Sequence, residues 1–147
     1  MSGKIKSGLL AGAISGIALG FFLKGIEAVT GKLVYTLLLN IDFIPVIGQI
    51  NWPEWIEFVF HLFISLIIGV VYSIGSSRYF PQQRKAQAIL AYVLTLPTVL
   101  LYFPLTYLAI KQTPGLWDFT AITYWTLGHL IYAAVLFVAY TREYTFD

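Results

Sequence analysis

The 147-residue chain has no cysteine and few charges: Asp, Glu, Lys and Arg together make up 11% of it, against 59% hydrophobic residues. The missing cysteines exclude disulfides, thiolate metal sites and a cysteine nucleophile. A soluble domain carries roughly 25% charged residues, so the shortage of charge argues against a soluble fold. Several catalytic signatures are absent as well. The chain contains no GxSxG elbow, no HExxH zinc motif, no phosphate-binding Walker loop and no dinucleotide fingerprint. Its basic residues are few and scattered, which leaves nucleic-acid binding without a footing.

What the chain has instead is four long apolar stretches, Gly8–Thr30, Glu54–Ser77, Ala86–Ile110 and Asp118–Thr141. A hydrocarbon core of about 30 Å needs about 20 helical residues, and each stretch is long enough. They predict an all-α polytopic membrane protein, an antiparallel four-helix bundle with residues 1–147 as a single domain. Lys4, Lys6, Arg78, Arg84, Lys85 and Arg142 fall on one side of such a bundle and only the loop residues Lys32 and Lys111 on the other. That bias places both termini and the 78–85 loop in the cytoplasm. Lys4 and Lys6 followed by Gly8 to Leu23 resemble the start of a signal peptide, but no small-x-small cleavage site comes next. The first span is therefore expected to be retained.

Span 1 carries Gly8, Gly12, Gly16 and Gly20, a smooth stripe that lets another helix approach closely. The partner is either another span of the same chain or a second copy, which would make a homo-oligomer. The 31–53 connection holds apolar runs too short to cross a membrane, broken by Asn40, Asp42, Pro45 and Gly48, and is expected to lie in the interface or cap the bundle. Trp52, Trp55, Trp117, Tyr124 and Trp125 suggest an aromatic belt on that side, and Tyr79, Phe80, Tyr140 and Tyr144 one on the other. Pro97 and Pro104 each remove a backbone donor, so span 3 is expected to be the most bent. A faint repeat pairs His61, Tyr72 and Arg78 with His129, Tyr140 and Arg142, suggesting that spans 1–2 and 3–4 are parallel repeats with the histidines at similar depth.

Ionisable groups inside spans are costly and usually face the interior or water. Span 2 places Glu54, Glu57, His61, Ser65, Tyr72 and Ser76 on one helical face, and span 4 does the same with Asp118, Trp125, His129, Tyr132 and Tyr140. Lys24 and Glu27 form an i,i+3 pair near the outer end of span 1. Lys24, Glu27, Glu57, His61, Ser65 and His129 are thus the candidate polar site, in the outer half of the bundle. It reads as a protonatable or ion-binding site. It also reads as a metal site of His61, His129, Glu27 and Glu57, as a bis-histidine haem site with only Gly128 beside a ligand for clearance, or as a structural network pairing Lys24 with Glu27. No cofactor is required by any motif. Arg84 and Lys85 are placed to meet anionic lipid heads.

The order of landmarks resembles the YagU-like family of bacterial inner-membrane proteins. The matching pieces are Gly-Leu-Leu-Ala-Gly at 8–12, Lys24 and Glu27, His61 with Ser65 and Tyr72, Phe80-Pro81, and Gln87. They continue with Phe103-Pro104-Leu105, Thr113-Pro114, Asp118 and Gly128-His129-Leu130. The first external connection is shorter than that family's pattern. The resemblance implies a bacterial inner-membrane protein linked to acid tolerance, and no mechanism. The function expected is of the transport or envelope-stress class, acting on protons or a small ion. The alternatives are a structural or accessory membrane subunit and a metal-dependent membrane protein.

Overall fold

The computed structural model describes residues 2–143, and all regular structure in them is helical. Six helices follow one another: α1 (Ser2–Thr30), α2 (Val34–Leu38), α3 (Glu54–Tyr79), α4 (Arg84–Leu100), α5 (Tyr102–Leu108) and α6 (Phe119–Glu143). Four units are long and apolar enough to cross a membrane: Gly3–Thr30, Glu54–Tyr79, Arg84–Leu108 and Phe119–Arg142. The distribution of side chains is that of a protein dissolved in lipid. Large apolar groups such as Phe21, Phe63, Val71, Ile89, Leu96 and Leu127 point outward, while Ser15, Ser65, Ser73, Ser76, Gln87 and Thr95 are buried between helices. The chain is therefore an integral, multi-pass membrane protein.

The spans form a ring in the order α1, α3, α4–α5, α6. α1 packs along both α3 and α6, α4 packs on α6, and α3 and α4 touch only sparingly. The suggested repeat would make the α3–α4 contact equivalent to α1–α6, and the packing departs from that equivalence.

The glycine stripe explains the tight pair. A β-carbon on Gly12 would lie 2.5 Å from the Ser65 carbonyl, and one on Gly8 would lie 2.7 Å from the Val70 backbone. Gly16 faces Ser65 and Gly20 faces the Phe58 ring, so all four glycines abut α3 of the same chain. Gly69 reciprocates, its backbone lying against Gly8 and Gly12. The close approach brings α3 donors to α1 carbonyls: Ser73 Oγ to Lys4 O at 2.7 Å, Ser65 Oγ to Gly12 O at 2.7 Å and His61 Nε2 to Gly16 O at 3.1 Å. Interhelical bonds of this kind contribute about 0.6 kcal/mol each on average in membranes.

The third span breaks where its prolines demand. Pro97 lies inside α4, and Leu101 separates α4 from α5 just before Pro104. The indole nitrogen of Trp125 crosses from α6 and donates to the carbonyls of Thr98 at 3.3 Å and Val99 at 3.1 Å, which supplies a donor at the break. Trp125 is thus a core residue, 2% exposed, rather than part of an interfacial belt. Tyr140 is likewise buried, and Tyr144 lies outside the described residues. Trp55, Trp117 and Tyr79 are exposed as belt residues would be.

Candidate functional site

At the end opposite the termini, two loops roof the bundle. In the first, α2 buries Val34 and Leu37 completely. No side chain of its own caps α2. Glu27 does so from α1, accepting from the Thr36 amide at 2.8 Å and the Thr36 hydroxyl at 2.7 Å. Glu27 is therefore not the partner of Lys24. Lys24 reaches α3 instead, where it pairs with Glu54 at 2.5 Å and lies over the Tyr35 ring. The i,i+3 pairing fails because α2 offers Glu27 amide and hydroxyl donors, leaving Lys24 to the carboxylate that opens α3. Burial and the adjacent Glu54 carboxylate raise the Tyr35 hydroxyl well above the ordinary tyrosine range, so it stays a donor to Glu54 at 3.0 Å.

The second loop, between α5 and α6, is strapped to the first. Asp42 accepts the amides of Ile110 at 3.0 Å and Lys111 at 2.6 Å. Lys111 pairs with Glu57 at 2.6 Å, and Lys32 with Asp118 at 2.6 Å. Asp118 also caps α6 by accepting the Ala121 amide at 3.1 Å. The Lys32 ammonium and that amide hold the Asp118 carboxyl below the usual carboxylate range. Gly48 is needed here because a β-carbon would overlap the Asp42 carbonyl.

Beneath this roof lies a cavity of about 330 Å³. Leu19 of α1 and Trp125, His129 and Tyr132 of α6 form its back wall. Glu57, His61 and Ser65 of α3 line one flank, Thr98, Leu101 and Leu105 the other, and Asn40 with Ile41 and Ile44 the roof. Of the six candidate residues, the fold brings Glu57, His61, Ser65 and His129 to this one hollow. Lys24 borders a separate depression with Tyr35, Glu54 and Trp55, and Glu27 serves α2.

The hydrogen bonds fix both imidazoles. A ring nitrogen facing a carbonyl must carry the proton. His61 therefore donates through Nε2 to Gly16, and His129 through Nδ1 to Trp125 O at 2.8 Å. In the neutral rings His61 Nδ1 and His129 Nε2 are left as acceptors. The Ser65 and Tyr132 hydroxyls lie 3.1 Å apart, and because the single Ser65 proton goes to Gly12 O, Tyr132 is the donor of that pair. Gly128 packs against Leu19 and Leu23 of α1, which lie where a side chain at this position would go. Among the described residues, no group of three or more His, Asp or Glu is arranged to hold a metal ion.

Sequence reasoning passed over one residue that lines the cavity and the ion-pair partner of another. Asn40 was noted only as a break in an apolar run, yet it is 3% exposed, and its amide Nδ2 is buried with no acceptor. Its isolation between Leu39 and Ile41 was the available signal. Lys111 gave none, since its partner Glu57 is 54 residues away. No protein-family model, curated protein or solved structure matches the chain, so the YagU-like resemblance rests on its motifs alone.

Proposed function

We propose that this is a bacterial inner-membrane protein, with both termini cytoplasmic, whose working part is the histidine-bearing cavity. In this reading a small lipid-soluble molecule enters the cavity sideways from the bilayer. The observation that carries it is that both intramembrane histidines line one hollow whose other walls are mostly apolar. Such a hollow, with a few convergent polar groups, is the usual form of a small-molecule site. Access follows from the packing. α3 and α4 scarcely touch, and the cavity edge between them carries the outward-facing Phe63, Ile64 and Leu101.

The orientation draws on charge. Lys4, Lys6, Arg78, Arg84 and Lys85 gather at the end of the bundle that holds the termini, while Glu27, Asp42, Glu54, Glu57 and Asp118 gather at the other. The positive-inside rule sets the first end in the cytoplasm. The transport reading keeps the two histidines as its protonatable element, but the carboxylates that a bound cation would use are already engaged: Glu57 by Lys111, Glu54 by Lys24 and Glu27 by Thr36. The lipid-soluble ligand is the better supported occupant.

The test uses purified protein in nanodiscs and Nile red, a neutral lipid-soluble dye. Wild-type protein should bind it saturably above the bilayer background. Ile64→Trp, at the lipid-facing mouth, should fold normally and weaken binding about tenfold, as filling a preformed pocket does. Purely linear partitioning, unchanged by Ile64→Trp, would sink the proposal.

A further inference from the structure

The polar atoms of the cavity specify the head of its ligand. Asn40 is one of the residues that roof the hollow, and its amide Nδ2 is buried without an acceptor, although its Oδ1 is fixed by the Asp42 amide at 3.1 Å. That bond also settles which amide atom is nitrogen. On the walls, His61 and His129 each spend one ring nitrogen on a backbone carbonyl. Among the described residues their second nitrogens have no hydrogen-bond partner, and they act as acceptors. Residues lining the hollow thus hold one unpaired donor and two unpaired acceptors, without a free charge among the described residues. Among the described residues Glu57 is the one ionised residue in its lining, and Lys111 neutralises it at 2.6 Å.

From this arrangement we infer that the occupant is an uncharged, lipid-soluble hydroxyl compound, an alcohol or phenol head on an apolar tail. This deepens the ligand reading above and rests on it. A hydroxyl is the smallest group that accepts from Asn40 and donates to an imidazole. A phosphate or carboxylate head finds no unpaired cation here, and leaving its charge in a low-dielectric hollow is costly. An ammonium head finds its carboxylate already taken. A ketone or ester oxygen satisfies Asn40 but leaves both imidazole acceptors unmet. The tail leaves between α3 and α4, where Ile64 and Leu101 form the edge.

The experiment displaces Nile red from wild-type protein in nanodiscs with four probes of similar chain length, compared at equal mole fraction in the bilayer. These are decane, methyl nonanoate, 1-decanol and decanoate. Decanol should displace the dye at about fivefold lower mole fraction than decane, the effect of one net hydrogen bond. Methyl nonanoate should fall between them, and decanoate should do no better than decane. His129→Phe, which keeps a ring against Trp125, and Asn40→Leu should each shrink decanol's advantage. If the ester equals the alcohol, if decanoate is strongest, or if both variants keep the full preference, the inference is overturned. Failure of Nile red itself to bind saturably would instead strike at the cavity reading, so the two failures are separable.

Discussion

The imidazole of His129 packs at a tilt of 42° against the indole of Trp125 with ring centroids 4.5 Å apart, and its Nδ1 donates to the Trp125 carbonyl one turn earlier in α6. The same indole donates outward to Thr98 and Val99 where the third span breaks. One tryptophan therefore orients a cavity histidine and supplies a donor to two carbonyls beside the break in the third span. Trp125→Phe keeps an aromatic ring and removes the donor. It should lower stability by about 1–3 kcal/mol, the cost of stranding a buried acceptor. Thermal unfolding in detergent measures this, and an unchanged midpoint would mean that those carbonyls do not need the indole.

The glycines of α1 divide into two groups that can be told apart by experiment. Gly12→Leu should cost about 1–3 kcal/mol or more through overpacking, because the Ser65 backbone occupies the space. Gly16→Leu should behave alike, since Ser65 and Leu62 face it. Gly25 meets nothing within 4 Å, so Gly25→Ala should be neutral or gain up to about 1 kcal/mol from helix propensity. Equal effects at positions 12 and 25 in a detergent melt would show that the stripe does not pack.

These contrasts mark what was legible in the sequence. The four spans, a 31–53 connection that does not cross the membrane, an interruption in the third span and the stripe all come from local rules. Apolar length, proline chemistry and glycine spacing act within one helix. The partners of Lys24, Lys32 and Lys111 do not, because their carboxylates lie 30, 86 and 54 residues away. Adjacency in sequence suggested Glu27 for Lys24, and tertiary placement assigned it to Thr36. The histidines' sharing of one hollow followed from helical phase, whereas Asn40 entered through a loop whose course the sequence pattern does not set.

The Lys32–Asp118 pair makes a pH prediction with a definite sign. Asp118 is held below the ordinary carboxylate value of about 3.9 by Lys32 and by the Ala121 amide. A depressed carboxylate stabilises the fold above its unfolded-state pKa and loses that contribution as pH falls through its folded-state pKa. The melting midpoint of the wild type should therefore drop as pH is taken below about 4. Asp118→Asn retains a capping oxygen but not the charge, so its midpoint should be lower at neutral pH and should show a smaller acid drop. An identical acid profile for the two proteins would remove Asp118 from the account.

The absence of cysteine makes the proposed orientation easy to probe. Gln112 and Gln83 are both exposed, in the loops at opposite ends of the bundle. In intact cells with a permeable outer layer, Gln112→Cys should react with a membrane-impermeant maleimide, and Gln83→Cys only after lysis. The reverse pattern would invert the topology and place the cavity roof in the cytoplasm.

The two histidines should behave differently in stability and in binding. Their fixed bonds run to separate carbonyls, Gly16 of α1 and Trp125 of α6. Removing each to Ala should therefore destabilise the ligand-free protein in a nearly additive way, within about 0.5 kcal/mol, as independent sites do. Their remaining nitrogens are proposed to border one ligand head, whose single hydroxyl proton serves one imidazole at a time. For 1-decanol binding, either ring can then stand in for the other, so the double substitution should cost more than the sum of the singles, with a coupling of about 0.5–3 kcal/mol. Ligand-free melts and Nile red displacement on the same four proteins give both cycles. Coupling in the melts alone would make the pair a structural network. Additivity in both would leave two unrelated histidines that share a wall, and the head-group assignment could not stand.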